Sequence, residues 1–296
     1  MKLMIIDSQG AAIPQAYRDL LDNVTLRGID PGDDKITCHP HGLQVGYWAS
    51  VLLEDAEVVF VRIFDADAKP VSGATDWLLE VVEQERPDYI NRSWGMAQPD
   101  TPYGRMIGQV VYGDWVQEYT RLQDDIGFVD FAAAGNSGDW LPDNDVNYPH
   151  RLMPQTNVIG SSDRRGVASS FSSDGPEVQC VCTGENVLLY NGKLWAIGSG
   201  TSFAAPKMCG LAAAHRLDHD EWDSFCSQYG TKPAGYEDKA SNKWGRHGNM
   251  SDRFQHDLAQ VPKRRLPPFM QAAQDEFMPA YHDFERIHLD DELTYA

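Results

Sequence analysis

No apolar run in this chain is long enough to span a bilayer. The N-terminus enters an apolar, strand-like stretch at residues 3–6 without a charged leader, a signal core or a small-residue cleavage site. A cytoplasmic protein with no membrane partner is therefore expected. Basic residues are scarce: 25 Lys and Arg face 44 Asp and Glu, a net charge of −19. No basic stripe with interleaved aromatics breaks that acidity, which argues against nucleic acid and anionic membrane surfaces as partners. Cysteine is also sparse, and the five residues Cys38, Cys180, Cys182, Cys209 and Cys226 cannot all pair. Cys180 and Cys182 share one strand and are poorly placed to bridge, so reduced, mostly buried thiols are expected.

What is present is enough apolar residue for a large core: 42% of 296 residues. One domain over residues 1–254, followed by a linker and tail over 255–296, fits that length better than two equal domains. Short apolar strands alternate with helical spacing: residues 58–63, then Trp77, Leu78, Val81 and Val82, then Tyr89 and Ile90, then Met106, Ile107, Val110 and Val111, then residues 128–134. Such alternation predicts an α/β fold, three-layer α/β/α with a mainly parallel central sheet.

The most telling local feature is the run Gly198-Ser199-Gly200-Thr201-Ser202-Phe203-Ala204-Ala205-Pro206, a glycine turn opening into a small-residue helix. Glycine permits the sharp reversal, and a helix start aims N–H groups and a positive dipole end at an anion formed beside the Ser202 hydroxyl. A serine hydroxyl needs a base, and the base needs an orienting acid. Asp7 follows the apolar strand 3–6, at the strand end where open α/β sheets place ligands. His41 lies in His39-Pro40-His41-Gly42, at the start of a buried helix over residues 45–53 with small residues Gly46, Ala49 and Ser50.

Asp7-Ser8-Gln9-Gly10, His41-Gly42, Ala133-Ala134-Gly135-Asn136 and Gly200-Thr201-Ser202-Phe203-Ala204-Ala205-Pro206, in that order, resemble the subtilisin-like serine peptidases. The acid, histidine, serine order is the discriminating fact, since other triad folds run in other orders. The resemblance implies a serine endopeptidase that works through an acyl-enzyme, with Ser202 as nucleophile, His41 as base, Asp7 as its orienting acid and Asn136 in the oxyanion hole. It further implies polypeptide substrates. These would pair with Ser93, Trp94 and Gly95, with Ala133, Ala134 and Gly135 walling the first specificity pocket, Asn147 near its base, and an uncharged side chain preferred there.

The same resemblance marks departures. Leu43 and Gln44 stand where the family has Thr and His, a matter of packing. Secreted relatives carry an inhibitory segment before the catalytic domain, whereas Asp7 lies near the start of this sequence. The tail is expected to dock on the domain; a sharper expectation is that it restrains the cleft or tethers a partner. Residues 261–268 read as an extended linker, and the apolar face of Phe269, Met270, Ala273, Phe277, Phe284 and Ile287 follows. No cofactor is expected for the chemistry. Structural calcium is compatible with the family but no ligand set can be mapped: Asp143-x-Asp145-x-Asn147 opens like a calcium loop yet lacks its glycine and closing glutamate. Two other classes stay open, an inert interaction protein on the same fold and an esterase using the same triad.

Overall fold

The computed structural model describes residues 1–32, 38–99, 101–138, 145–173, 175, 177–232, 245–267 and 270, with backbone alone considered at 96–99, 145–148 and 151. Asp143 and the tail beyond Met270 lie outside the described residues.

In chain order the elements are β1 (Lys2–Asp7), α1 (Gln15–Leu20), β2 (Val24–Ile29), α2 (His41–Ser50), β3 (Ala56–Arg62), α3 (Ala74–Glu85), β4 (Tyr89–Arg92), β5 (Met96–Pro99), α4 (Pro102–Ile126), β6 (Val129–Ala133), β7 (Asp145–Tyr148), β8 (Asn157–Ser162), β9 (Val178–Thr183), β10 (Val187–Tyr190), β11 (Trp195–Gly198), α5 (Thr201–His215), α6 (His219–Tyr229) and α7 (Ser251–Leu258). Seven strands form one sheet in the order β2-β3-β1-β4-β6-β8-β9, and every neighbouring pair is parallel. Two small antiparallel ribbons, β10-β11 and β5-β7, flank it. The expected parallel α/β architecture is the one observed.

Alternation along β1 shows how the three layers arise. Leu3 and Ile5 join a core with α2 and α5, while Met4 and Ile6 join a second core with α3 and α4. Period-two side chains on a strand buried on both faces require apolar residues at every position, which is what residues 3–6 supply. Each such side chain contributes about 1.5–3 kcal/mol on full burial. After β1 the chain builds outward to β2 and β3 on one side, then crosses to β4 on the other. The carboxyl ends of β1 and β4 thus border the point where winding reverses, the usual place for a site in an open sheet.

Two helices are set by close backbone approach. A Cβ on Gly46 of α2 would lie 2.3 Å from Phe60 on β3, and one on Gly210 of α5 would lie 2.5 Å from the Ala49 carbonyl of α2. Small residues here let α2 and α5 lie against the sheet and against each other.

α4 begins at Thr101, whose hydroxyl accepts the Gly104 N–H at 3.1 Å, with Pro102 in the first turn, and it ends at Gly127 with φ +82°. Its apolar spacing predicted a helix, and the helix forms. Yet Met106, Val110 and Val111, which set that spacing, face solvent.

The C-terminal boundary expected after residue 254 falls inside α7. Residues 261–267 are also closer-packed than an extended linker. Leu266 and Arg265 are buried, the Arg265 carbonyl accepts from Tyr47 at 2.8 Å, and the Arg265 guanidinium reaches Glu54 at 2.7 Å. A prolyl-rich run fixes φ, but apolar and charged partners on the domain decide whether it detaches. Met270 belongs to the same core as α2 and α5.

Candidate active site

Asp7 ends β1, so its carboxylate projects from the sheet edge, and His41 is the first residue of α2. His41 Nδ1 lies 2.9 and 3.0 Å from the two carboxylate oxygens of Asp7. The acid is enclosed, with 3% side-chain exposure, while the imidazole keeps 25%. Burial disfavours the imidazolium, but the Asp7 charge and hydrogen bond outweigh it, so the His41 pKa lies above the ordinary 6.5. Next to it, His39 is pushed below 6.5, first by burial and then by His41.

Ser8, to which the sequence alone assigned no part beyond its place in the Asp7-Ser8-Gln9-Gly10 run, belongs to this corner. Its N–H donates to Asp7 Oδ1 at 2.7 Å. Its hydroxyl lies 3.0 Å from the same oxygen and 2.9 Å from the His39 carbonyl, and accepts the Gly42 N–H at 3.0 Å. One short side chain therefore ties the acid to the first turn of the helix carrying the histidine. The adjoining Asp-Ser pair was the available signal.

Ser202 sits in the first turn of α5, where N–H groups lack intrahelical partners. Phe203, its neighbour, packs beside the His41 ring with centroids 5.5 Å apart, so the start of α5 lies against the histidine. The Ser202 hydroxyl donates to the Ser93 carbonyl at 3.4 Å, and the Ser93 hydroxyl donates to the Ser202 carbonyl at 3.1 Å. The hydroxyl is thus directed to the strand end beside it.

Asn136 follows β6 and is exposed to solvent. Its Oδ1 accepts both the Thr201 backbone N–H and the Thr201 hydroxyl, each at 2.9 Å. A backbone N–H can only donate, so this contact fixes the amide's orientation and leaves Nδ2 as the outward donor. A Cβ on Gly200 would lie 3.6 Å from Nδ2, which locates that donor over the turn before Ser202. The Thr201 hydroxyl also accepts the Gly135 N–H at 3.1 Å. Thr201 is thus a second residue whose part is legible only in space.

Residues 93–95 continue from β4, and residues 134–135 continue from β6; because β4 pairs with β6, with Arg92 opposite Ala132, the two segments emerge side by side. Ala133 and Ala134 are buried and Gly135 takes φ +103°. The backbone at Asn147 pairs with Ala97 across the β5-β7 ribbon, so it lies beside the continuation of the 93–95 segment.

The end of β4 is held from below by a buried pair. Arg92 Nε lies 3.0 Å from Asp130 Oδ1, and Asp130 also accepts from Tyr119 at 3.1 Å and Thr156 at 2.6 Å. Burial opposes the Arg92 charge, but Asp130 outweighs it and holds the guanidinium charged.

An imidazole gripped by a carboxylate, a hydroxyl at a helix start and a fixed amide donor beside it are the parts of acyl transfer to serine. The Subtilase family model matches residues 37–225. Subtilisin amylosacchariticus of Bacillus subtilis subsp. amylosacchariticus is 27% identical over 171 residues, covering 56% of this chain and 40% of that protein. The chain therefore spans less than half the length of that relative. Among solved structures, the prenylagaramide maturation protease PagA superposes with a TM-score of 0.66 at 17% identity, covering 88% of this chain and 94% of that one. The epidermin leader peptide processing serine protease EpiP of Staphylococcus aureus gives 0.62 at 19% identity, covering 87% and 75%. These likenesses show the fold. A family model matching well over half of the chain shows more, and this chain belongs to the subtilase family.

Proposed function

We propose that the chain is a serine endopeptidase that cleaves polypeptides through an acyl-enzyme. The Asp7–His41 contact carries this reading, because a carboxylate bound to Nδ1 through both oxygens presents the other ring nitrogen as a base.

A substrate in extended form would pair with the backbone of residues 93–95, adding a strand beside the nucleophile. Ser202 attacks the scissile carbonyl as His41 takes its proton. Asn136 Nδ2 and the Ser202 N–H bind the oxyanion, and His41 then returns the proton to the leaving amine. Water attacks the acyl-enzyme by the reverse sequence. Hydroxyl, imidazole, carboxylate and amide fill every role, so the chemistry calls for no cofactor. Ala133, Ala134 and Gly135 wall a first pocket suited to an uncharged side chain, and the Asn147 backbone borders it. EpiP is described as processing a leader peptide; a peptide substrate is the corresponding expectation here. Among the described residues, which include all five cysteines, none forms a disulfide. That fits a reducing compartment.

The test is digestion of a denatured protein with the wild type and with Ser202→Ala, reading new N-termini. New termini with the wild type alone support endopeptidase action. Digestion by neither, with ester hydrolysis by the wild type, would favour the esterase.

A further inference from the structure

Of the eight large apolar residues that stand exposed among the described residues, half lie on one helix. Tyr103, Met106, Val110 and Val111 are 69, 53, 78 and 55% exposed. They occupy the first three turns of α4; Tyr103, Met106 and Val110, at spacing i, i+3, i+7, lie away from buried Trp115 and Tyr119, and Val111 stands at the border of that face, in line with Gly104. Farther along the helix, the outward positions become Asp114, Gln117, Arg121, Asp124 and Asp125, all exposed. Apolar exposure is thus confined to one end of α4. Contiguous apolar surface of this kind marks an interaction site.

That end is continuous with the strand proposed to hold substrate. β5 leads from Gly95 into the first turn of α4, and Trp94 packs edge-on against Trp115 of α4 with centroids 6.0 Å apart. A peptide whose scissile carbonyl lies at Ser202 meets Ser93 first, since Ser93 and Ser202 exchange hydrogen bonds. Its acyl portion then runs past Gly95 toward α4. The stripe from 103 to 111 covers about 12 Å at the helical rise, the reach of about four extended residues.

We propose that this face of α4 is an exosite for an apolar segment of the polypeptide substrate on the N-terminal side of the scissile bond, beginning about four residues upstream. The inference rests on the peptidase reading. A second copy of this chain fits the face less well, because a net charge of −19 on each copy opposes association.

Two peptides test this on the full-length protein. Both share the residues around the scissile bond; one carries an upstream segment with leucine at alternate positions, as an extended chain presents them to one side, the other serine at those positions. The wild type is expected to cleave the leucine peptide with kcat/KM about tenfold higher, a gain of about 1.4 kcal/mol. Met106→Gln with Val110→Asp, both on the exposed face, should remove that gain and leave the serine peptide's rate unchanged. A gain that survives the substitutions, or an equal fall for both peptides, overturns the exosite. A fluorescein-labelled leucine segment lacking the scissile bond is titrated in parallel by anisotropy. Binding that the two substitutions abolish supports the exosite even where no peptide is cleaved, an outcome that sinks the peptidase reading alone. Cleavage without binding sinks the exosite alone. A wild-type dimer that the substitutions dissociate, or binding gained only when the chain is cut after Met270, assigns the face to a second copy or to the tail and overturns it.

Discussion

The Thr201 backbone N–H donates to Asn136 Oδ1 at 2.9 Å, and by that bond the turn carrying the proposed nucleophile aims the amide proposed to stabilise the oxyanion. Nucleophile and oxyanion donor come from chain segments 65 residues apart, yet each fixes the other. Asn136→Leu should lower kcat by about 10²–10³ with KM little changed, the range known for this loss in a subtilisin. Thr201→Val keeps the backbone donor and loses the hydroxyl with its two hydrogen bonds, to Asn136 Oδ1 and from the Gly135 N–H, so a fall of about tenfold is expected. Steady-state kinetics on one peptide separates the two.

The raised His41 pKa sets the acid limb of the pH profile. Catalysis needs the neutral imidazole, so kcat/KM should rise with pH through a value above 6.5. Asp7→Asn removes the group that raises it and leaves the burial that lowers it. The limb should then move below its wild-type position while kcat falls by about 10⁴. For stability the sign is opposite in sense: the Asp7–imidazolium contribution is full below 6.5 and is lost as pH rises through the raised value. Unfolding of wild type and Asp7→Asn across that range tests it.

Lys207 lies five residues beyond Ser202, fully buried, with its ammonium 2.6 Å from the Thr183 carbonyl and 4.3 Å from the Trp48 ring centroid. Burial pulls its pKa from 10.5 down to about 8. The unfolded chain therefore binds the extra proton between those values, and stability should climb with pH across that window, by on the order of 3 kcal/mol. Below about 8 the cost is present in full. In Lys207→Met that pH-dependent part should vanish, measured as the difference between the two denaturation series.

Gly210 faces the Ala49 carbonyl so closely that a Cβ would lie 2.5 Å away, and backbone cannot step aside as a flexible side chain can. Gly210→Ala should cost about 1–3 kcal/mol in stability. Because α2 carries His41 and α5 carries Ser202, it should also lower kcat. A melting curve and kcat together check the coupling; lost stability with unchanged kcat would refute it.

Truncation tests the packing of the C-terminal residues that the structure describes. A chain ending after Pro262 loses buried Arg265, Leu266 and Met270 and should melt lower than one ending after Met270. Release of peptidase activity by the second cut would assign the tail a restraining role, and unchanged activity would remove that role.

The sheet was legible in the sequence because strands such as residues 3–6, buried on both faces, must be apolar throughout, and few arrangements satisfy that. The candidate site was legible where one residue type would carry the proposed chemistry: Asp7, His41, Asn136 and Ser202 each follow a strand or open a helix. Ser8 and Thr201 were not legible, because their roles lie in hydrogen bonds to partners that only folding brings near. The α4 spacing of Met106, Val110 and Val111 predicted a helix and said nothing of its outward face, since periodicity cannot tell core from docking surface when a helix is apolar on both sides. The stretch at 261–267 looked like a linker because proline content reports local stiffness, while Tyr47 and Glu54, more than two hundred residues away, decide its packing.

Active-site titration with a fluorophosphonate probe tests the central claim most directly. One probe per chain, mapped by mass spectrometry to Ser202, lost in Ser202→Ala and slowed strongly in His41→Ala, is the predicted result. Labelling at another residue, or equal labelling of the wild type and Ser202→Ala, would contradict the claim that Ser202 is a nucleophile activated by His41 and Asp7.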